Sequence, residues 1–275
     1  PIKQAYGSAV KAPADPEKEG YVFTGWEPEV GLMDTEGATF NATWQKAKYT
    51  ATYTPINDAN NNEIIMMIDA MTTNLTEFFR EPQHFEFMRN VVLPGYAQQG
   101  RGKIKLWSAG CSTGQEPYTL SMVMSEYIRQ NPLSSIRDYS VLATDISTKV
   151  LDKAASAIYP MDAVTGIPKQ IMHQYFLKGK DPAKPAVRLK QEIRDRVNFM
   201  RLNFMDDDYG FRDTMQIIFC RNVLIYFDKQ NQEKVITQFL RYLEPGGYLF
   251  LGHSETIFGM TLPFKTVAPT VFQRI

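Results

Sequence analysis

From Lys103 onward, stretches that read as strands alternate with stretches that read as helices, and this alternation restricts the fold more than any other feature of the chain. The strand-like runs are IKLWSA (Ile104–Ala109), YSVLATD (Tyr139–Asp145), VNFMRLN (Val197–Asn203), MQIIFCRN (Met215–Asn222) and GYLFLGHS (Gly247–Ser254), with a closing pair in FKTVAPTVFQRI (Phe264–Ile275). Helical periodicity occupies Gln115–Arg129, Thr148–Ala157, Lys169–Phe176 and Lys229–Leu243, where Glu-Pro-Gly-Gly supplies a sharp stop. Such a pattern predicts an α/β fold, a mostly parallel sheet with helices on both faces. Ligands on such sheets bind beyond the carboxyl ends of the strands.

The amino-terminal part has a different character. Residues 1–57 read as a small all-β module, with strand-like YVFTGW, ATFNATW and KYTATYT; in the last, Tyr49, Ala51 and Tyr53 fall on one face. Its pattern, Gly20-Tyr21-x-Phe23-x-Gly25-Trp26-x-Pro28-Glu29 followed by Ala42-Thr43-Trp44, resembles the Listeria–Bacteroides repeat, a β-grasp-like unit of bacterial surface proteins. Residues 58–102 read as an Asn-rich linker and a helical lead-in, Glu63–Met71 and then Asn74–Leu93, with Pro82 marking a break or a new first turn.

Composition narrows the function classes. Lysines plus arginines equal aspartates plus glutamates at 30 each. Residues 1–60 hold five lysines against eight acids, so the remainder is mildly basic, without the dense stripe of a nucleic-acid groove. No apolar run approaches the roughly 20 residues that span a bilayer. The two cysteines and three histidines show no metal-ligand spacing, and so few cysteines favour a reducing, cytoplasmic setting. The chain begins at Pro1, which reads as a fragment or a processed product.

Four features fall where a site belongs. In LWSAGCSTGQEP, Gly110 and Gly114 let backbone approach a ligand, the following helix aims its first amides there, and Glu116 sits in its first turn; a plain strand-to-helix turn explains the loop equally well. Asp145 ends the second strand, where an acid can accept hydrogen bonds from ribose hydroxyls or cap a helix, a role open to Ser147 as well. Arg221 and Asn222 follow a near-continuous apolar strand, as expected at the sheet's centre, and Tyr226 comes next, reading by itself as a core aromatic. In TTNLTEFFRE, Asn74 and Thr76 are capping residues, Thr76–Phe79 can open a helix, and Arg80 is demanded by no amphipathic pattern.

Taken together, TTNLTEFFRE, WSAGCSTGQEPYTL, ATDIS…VLDKA, FCRNVLIYFD and GGYLFLGHSE resemble the CheR family, chemotaxis methyltransferases that methylate receptor glutamates with S-adenosylmethionine. The resemblance runs from about residue 62 to 275 and implies a Rossmann-like methyltransferase fold, with 103–275 as the catalytic domain and a small β-subdomain near 177–200. It implies that Asn74, Thr76 and Arg80 lie at the methyl-donor end, that the loop carrying Gly110 holds the cofactor, that Glu116 lies near its amino-acid moiety and that Asp145 takes the ribose. Asn203 and Phe204 would border the adenine, Arg221 and Asn222 would complete the wall, and Tyr226 would join Arg80 beside the transferring methyl. The products implied are a glutamate methyl ester and S-adenosylhomocysteine.

The same resemblance implies chemoreceptor cytoplasmic helices as protein substrate, with neither nucleic acid nor membrane insertion. A receptor tail peptide is a further expected partner, since Lys178, Lys180, Lys184, Arg188 and Lys190 can attract an acidic tail, although such a charge run also serves as a solvated face. Of the family's small amino-terminal helical domain only the last helix, around Glu63–Met71, is expected here, the β module standing in its place. Two other readings fit the motifs: methylation of another carboxylate, and a non-catalytic cofactor-binding or scaffold protein.

Overall fold

A computed structural model describes residues 21–27, 41–46, 76–181 and 183–275. The chain divides into two compact units, Pro1–Pro55 and Ile56–Ile275. In the first, β1 (Tyr21–Glu27) pairs antiparallel with β2 (Asn41–Lys46), with a bulge between Phe23 and Gly25. Across the pair the Thr24 hydroxyl donates to Thr43 Oγ1 at 3.0 Å. The expected strand at Lys48–Thr54, the helix at Glu63–Met71 and Asn74 lie outside the described residues.

In the second unit a helical lead-in comes first: α1 (Pro82–Phe87), a π-helical turn at Met88–Val92, and α2 (Leu93–Gln98). Thr76–Phe79 does not open this helix. Thr76 and Glu77 are irregular and Phe78 and Phe79 form a turn, with Phe79 and the nearby Glu81 both in the left-handed region at φ 57° and 55°. Pro82 supplies the new first turn, as its fixed φ allows. Tertiary contacts override the local preference: the Phe79 amide donates to Thr119 Oγ1 at 3.2 Å, and the Arg80 carbonyl accepts from Arg221 Nη1 at 2.6 Å.

Strands and helices then alternate as expected: β3 (Lys103–Ala109), α3 (Gln115–Gln130), β4 (Asp138–Asp145), α4 (Thr148–Ser156), β5 (Ile158–Pro160), α5 (Lys169–Tyr175), β6 (Phe176–Lys178), β7 (Ala186–Leu189), α6 (Gln191–Arg194), β8 (Val197–Arg201), β9 (Met215–Cys220), α7 (Lys229–Tyr242), β10 (Leu243–Leu251), β11 (Phe264–Ala268) and β12 (Val271–Arg274). The main sheet has the order β11-β12-β10-β9-β3-β4-β8. Its five strands from β10 to β8 are parallel, and β12 and β11 extend it antiparallel.

Side chains alternate across the sheet as a pleated strand requires. Ile104, Leu106, Val141, Ala143, Ile217, Phe219 and Phe250 face a core completed by α3 and by Phe85, Met88, Leu93 and Tyr96 of the lead-in. Trp107, Ile218, Leu249 and Leu251 face the opposite core, closed by Val235, Ile236 and Phe239 of α7 and by the segment after β8. All six residues of β9 are buried, which is why its sequence is apolar except at Gln216, whose amide is paired with the Lys105 amide and Glu244. Glu-Pro-Gly-Gly does end α7, but as part of β10: the register with β9 shifts between Leu243 and Tyr248, so these residues form a bulge.

A second sheet, order β5-β7-β6, is antiparallel throughout. It holds the 176–178 and 186–189 parts of the stretch read as a β-subdomain near 177–200, takes a third strand from Ile158–Pro160, and leaves Val197–Arg201 to the main sheet.

Candidate active site

The parallel registers bring five strand ends to one level. Ala109 is opposite Thr144, Asp145 opposite Arg201, and Cys220 opposite Leu251. The loops beyond these ends carry most of the residues singled out in the sequence.

After β3 the chain turns through Gly110, at φ 82°, whose amide donates to the Thr144 carbonyl at 2.8 Å. A Cβ at Gly110 would lie 2.4 Å from Val223 Cγ2, so glycine lets this loop pack against the one after β9. Gly114, at φ 95°, precedes α3, which has no side-chain cap. A Cβ there would come within 2.9 Å of Ala154 Cβ and the Tyr159 hydroxyl. Asp145 crosses to this loop: its Oδ2 accepts from the Ser112 amide at 2.8 Å, and its Oδ1 from the Ser147 amide at 3.0 Å. Capping of α4 falls to Ser147, whose Oγ accepts from the Val150 amide. Asp145 is therefore held at the rim by two amides.

Glu116 is buried and carries two contacts. Its Oε1 accepts from the Ser108 hydroxyl, and its Oε2 from Arg221 Nε, both at 2.7 Å. Arg221, also buried, gives Nη1 to the Arg80 carbonyl and lies over the rings of Phe85 and Phe219, at 5.1 and 5.5 Å from their centroids. Arg80, Glu116 and Arg221 thus form one connected group. Arg80 itself is half-buried, as is Thr76, and both precede α1 at this end of the molecule.

The loop after β9 is held from one point. Glu255, which follows β10, accepts from the amides of Asn222 (2.8 Å), Val223 (2.8 Å), Ile225 (3.3 Å) and Gly252 (2.7 Å). Burial raises its carboxyl above the usual range, and these four amides pull in the other direction. Asn222 adopts the left-handed region at φ 60°. Tyr226, expected from its neighbours to be a core aromatic, is 55% exposed on a short 3-10 turn instead.

Asn203 and Phe204 follow β8. Asn203 Oδ1 accepts from the Met205 amide at 3.0 Å. The Phe204 ring is buried against Trp107, Tyr209 and Phe239, so the side chain serves the core.

Sequence reasoning missed Ser108, Glu81, His84 and Glu255. Glu255 had a signal, a polar residue directly after a buried strand in GHSE. Glu81 and His84 are defined by partners far along the chain, Arg221, His253 and Thr270, and Ser108 by Glu116 across the loop that follows β3. Glu81, His84 and His253 bring potential ligand atoms within 4.8 Å of one another. Arg221 Nη1 lies 3.5 Å from Glu81 Oε2 and 3.4 Å from His84 Nδ1, so a guanidinium already occupies the space between two of these three donors. Both thiols are buried: burial, then Asp145 and Glu116, push the Cys111 pKa up, and burial, then Glu255, does so for Cys220. Neither is placed to act as a thiolate.

Residues 74–272 match the family model described as CheR methyltransferase, SAM binding domain. This chain belongs to the CheR methyltransferase family. A chemotaxis protein methyltransferase of Borreliella burgdorferi is 39% identical over 203 residues, covering 72% of this chain and 70% of that protein. The Salmonella typhimurium protein of the same description is 37% identical over 222 residues, 80% of this chain and 74% of its own length. The Escherichia coli protein is 37% identical over 205 residues, 74% and 68% of the two chains. The CheR-family chain is accordingly an S-adenosylmethionine-dependent methyltransferase of the chemotaxis type. The residues present suit that cofactor, because a buried carboxylate, Asp145, is fixed against the loop after β3 as an acceptor for a ribose.

Proposed function

We propose that this CheR-family chain methylates glutamate side chains on the cytoplasmic helices of chemoreceptors, and that the rim just described is its active site. The observation that carries the assignment is the linkage of Arg80, Arg221, Glu116 and Ser108, which ties the segment before α1 to the ends of β9 and β3.

When bound, S-adenosylmethionine supplies a sulfonium methyl that a carboxylate oxygen can displace, leaving S-adenosylhomocysteine and a glutamate methyl ester. Asp145 would accept from the ribose hydroxyls, the Gly110 loop would pass beneath the cofactor, and Glu116 would lie by its amino-acid moiety. The Asn203–Phe204 backbone would border the adenine, and Arg221 with Asn222 would close the wall. Asn74 and Thr76 belong to the methyl-donor end in this reading.

Arg80 and Tyr226 face the protein substrate. Arg80 orients the incoming carboxylate, best through a bidentate contact. A glutamate with an ordinary pKa of about 4.3 is ionised near neutral pH, so no general base is required. That requirement suits a rim without a reactive thiolate. The work left to the residues is alignment, which contributes on the order of 7–11 kcal/mol when nucleophile and electrophile are held in line. Cation and anion combine to neutral products, so a pocket that excludes water favours the transition state.

The β5-β7-β6 sheet supports a secondary contact with a receptor tail. Its edge strands leave Ile158 and Leu177 exposed, and Lys178, Lys180, Lys184 and Arg188 are exposed around them, which suits an acidic extended peptide added to an edge. Residues 1–57, with their likeness to the Listeria–Bacteroides repeat, stand as a separate module, 58–102 as the lead-in and 103–275 as the catalytic domain. The setting is cytoplasmic. Among the described residues no helix is long and apolar enough to cross a membrane.

Incubation with methyl-labelled cofactor and receptor cytoplasmic fragments tests the assignment. Base-labile label on receptor glutamates is the expected result. Cofactor binding without transfer would favour a scaffold, and label on other carboxylates alone would redirect the substrate.

A further inference from the structure

His84 carries a second layer of the site. It is 2% exposed on α1, packed edge-on against Phe250 and His253 with ring centroids 5.6 and 5.5 Å away. Its two ring nitrogens face opposite surroundings. Nε2 lies 2.9 Å from Thr270 Oγ1, at the turn between β11 and β12, and the ring also makes a hydrogen bond to the Pro269 backbone. Nδ1 lies 3.4 Å from Arg221 Nη1.

The chemistry of the partners selects the tautomer. A guanidinium only donates, and a backbone carbonyl only accepts. The guanidinium beside Nδ1 calls for a bare acceptor there, which puts the proton on Nε2 toward Thr270 Oγ1; Glu81 Oε2, also 3.4 Å from Nδ1, competes for the opposite tautomer. Burial, with Arg221 next, keeps the ring neutral by lowering its pKa from 6.5 to about 4.

Arg221 Nη1 is the same atom that donates to the Arg80 carbonyl at 2.6 Å. Arg80 stands between Phe79 and Glu81, both left-handed, a backbone shape that non-glycine residues hold only when their surroundings impose it. Phe78 anchors one side through edge contacts to Tyr159 and Phe176 at 4.9 and 5.6 Å. On the other side, Glu81 accepts from the His253 amide at 3.3 Å through Oε1. Between these anchors the Arg80 carbonyl is held by Arg221, and the guanidinium is held from behind by Nδ1 of His84.

We propose that His84 is a positioning residue: its bare Nδ1 orients Arg221 onto the Arg80 carbonyl and thereby sets where the Arg80 side chain meets the substrate carboxylate. The inference rests on the reading that Arg80 orients that carboxylate.

Two side chains separate the nitrogens. In His84→Asn the amide oxygen approximates the Nδ1 acceptor, whereas in His84→Gln the amide end reaches toward the Nε2 position and leaves Arg221 without this acceptor. The full chain is assayed with receptor fragments for kcat, and by calorimetry with S-adenosylhomocysteine. His84→Gln should lower kcat by about 10- to 100-fold, with the dissociation constant changed less than about threefold, and His84→Asn should recover most of kcat. Equal kcat for the two variants, or loss of cofactor affinity in step with kcat, overturns the proposal.

Arg80→Ala assayed alongside separates the two readings. If it turns over like the parent, the role given to Arg80 fails. If it is impaired while His84→Gln is not, only the role of His84 fails. A measurement without substitution guards against misfolding of either variant. In protein labelled with 15N-histidine, His84 should show a neutral ring with a bare Nδ1 at pH 7. A proton on Nδ1, shared with Glu81 Oε2 at 3.4 Å, or a charged imidazolium, overturns the proposal directly.

Discussion

Arg221 Nε donates to Glu116 Oε2 at 2.7 Å, and the two side chains are 2% and 11% exposed. A buried pair is weak grounds for stability when both partners are present, but removing one leaves a desolvated charge. Glu116→Ala should therefore destabilise the fold by about 3–5 kcal/mol, and Glu116→Gln, which can still accept from Nε, by distinctly less. Urea unfolding of the two variants measures the difference. Equal losses would mean that the neutral acceptor kept by Gln contributes nothing and that Arg221 depends on the charge of Glu116.

Arg80→Ala should separate turnover from cofactor binding. The side chain is assigned to the substrate carboxylate, while its backbone carbonyl, which Arg221 holds, survives the substitution. The expected result is a fall in kcat on the order of 100-fold, with the affinity for S-adenosylhomocysteine changed less than about threefold. Near-parental methylation with cofactor binding intact would remove Arg80 from the site.

The frame of this molecule was readable because burial imposes simple patterns. Met215–Cys220 is apolar but for Gln216 because both faces of β9 are covered, and the helices Thr148–Ser156 and Lys229–Tyr242 begin within a residue of where their caps suggest. Positions at the ends of those strands, Asp145, Arg221 and Asn222, followed from the frame. What was not readable depends on partners distant in sequence. Phe79 and Glu81 are forced left-handed in a stretch whose local preference is helical, and the contacts responsible come from Thr119 and Arg221. Glu255 gathers amides some 30 residues upstream. The three-residue strand Ile158–Pro160 is too short to display a period of two. Tyr226 shows the opposite failure: apolar neighbours suggested burial, yet the turn at Leu224–Tyr226 points the ring outward.

Asp145→Asn tests the ribose assignment. The substitution keeps shape and volume but replaces one oxygen with a donor, so it cannot keep both amide bonds and also accept from a diol. Hydrogen bonds to charged groups are worth roughly 1.5–3 kcal/mol, which predicts S-adenosylhomocysteine affinity weakened by about 10- to 100-fold. Calorimetry reads this directly. Unchanged affinity would mean that Asp145 serves only the loop through Ser112 and Ser147.

Gly110→Ala should fail for two separable reasons. A φ of 82° costs a non-glycine residue about 1–2 kcal/mol, and the added methyl would sit 2.4 Å from Val223 Cγ2, a steric overlap that adds about 1–3 kcal/mol. Val223→Ala in the same chain removes the second cost and leaves the first. The double variant should therefore be less destabilised than the sum of the single changes. Strict additivity in urea unfolding would show that the loops after β3 and β9 do not touch.

Protonation of His84 should weaken the fold on the acid side. The ring is held at a pKa of about 4 against an ordinary 6.5, chiefly by burial, then by Arg221; Glu81 opposes the shift, and His253 adds to it. The unfolded chain thus binds a proton that the folded chain refuses between those values. The contribution is fully present above about pH 6.5 and is lost as the pH falls toward 4, with a size on the order of 3 kcal/mol. Glu255 runs the other way, because a carboxyl raised by burial is protonated earlier in the folded state and so regains some stability on acidification. Urea unfolding from pH 7 to pH 4.5 should show a net decline in the parent and a flatter profile in His84→Asn, which cannot titrate. Parallel profiles for the two would mean that His84 accepts its proton in the folded state as readily as in the unfolded one, and that the contact with Arg221 does not hold it neutral.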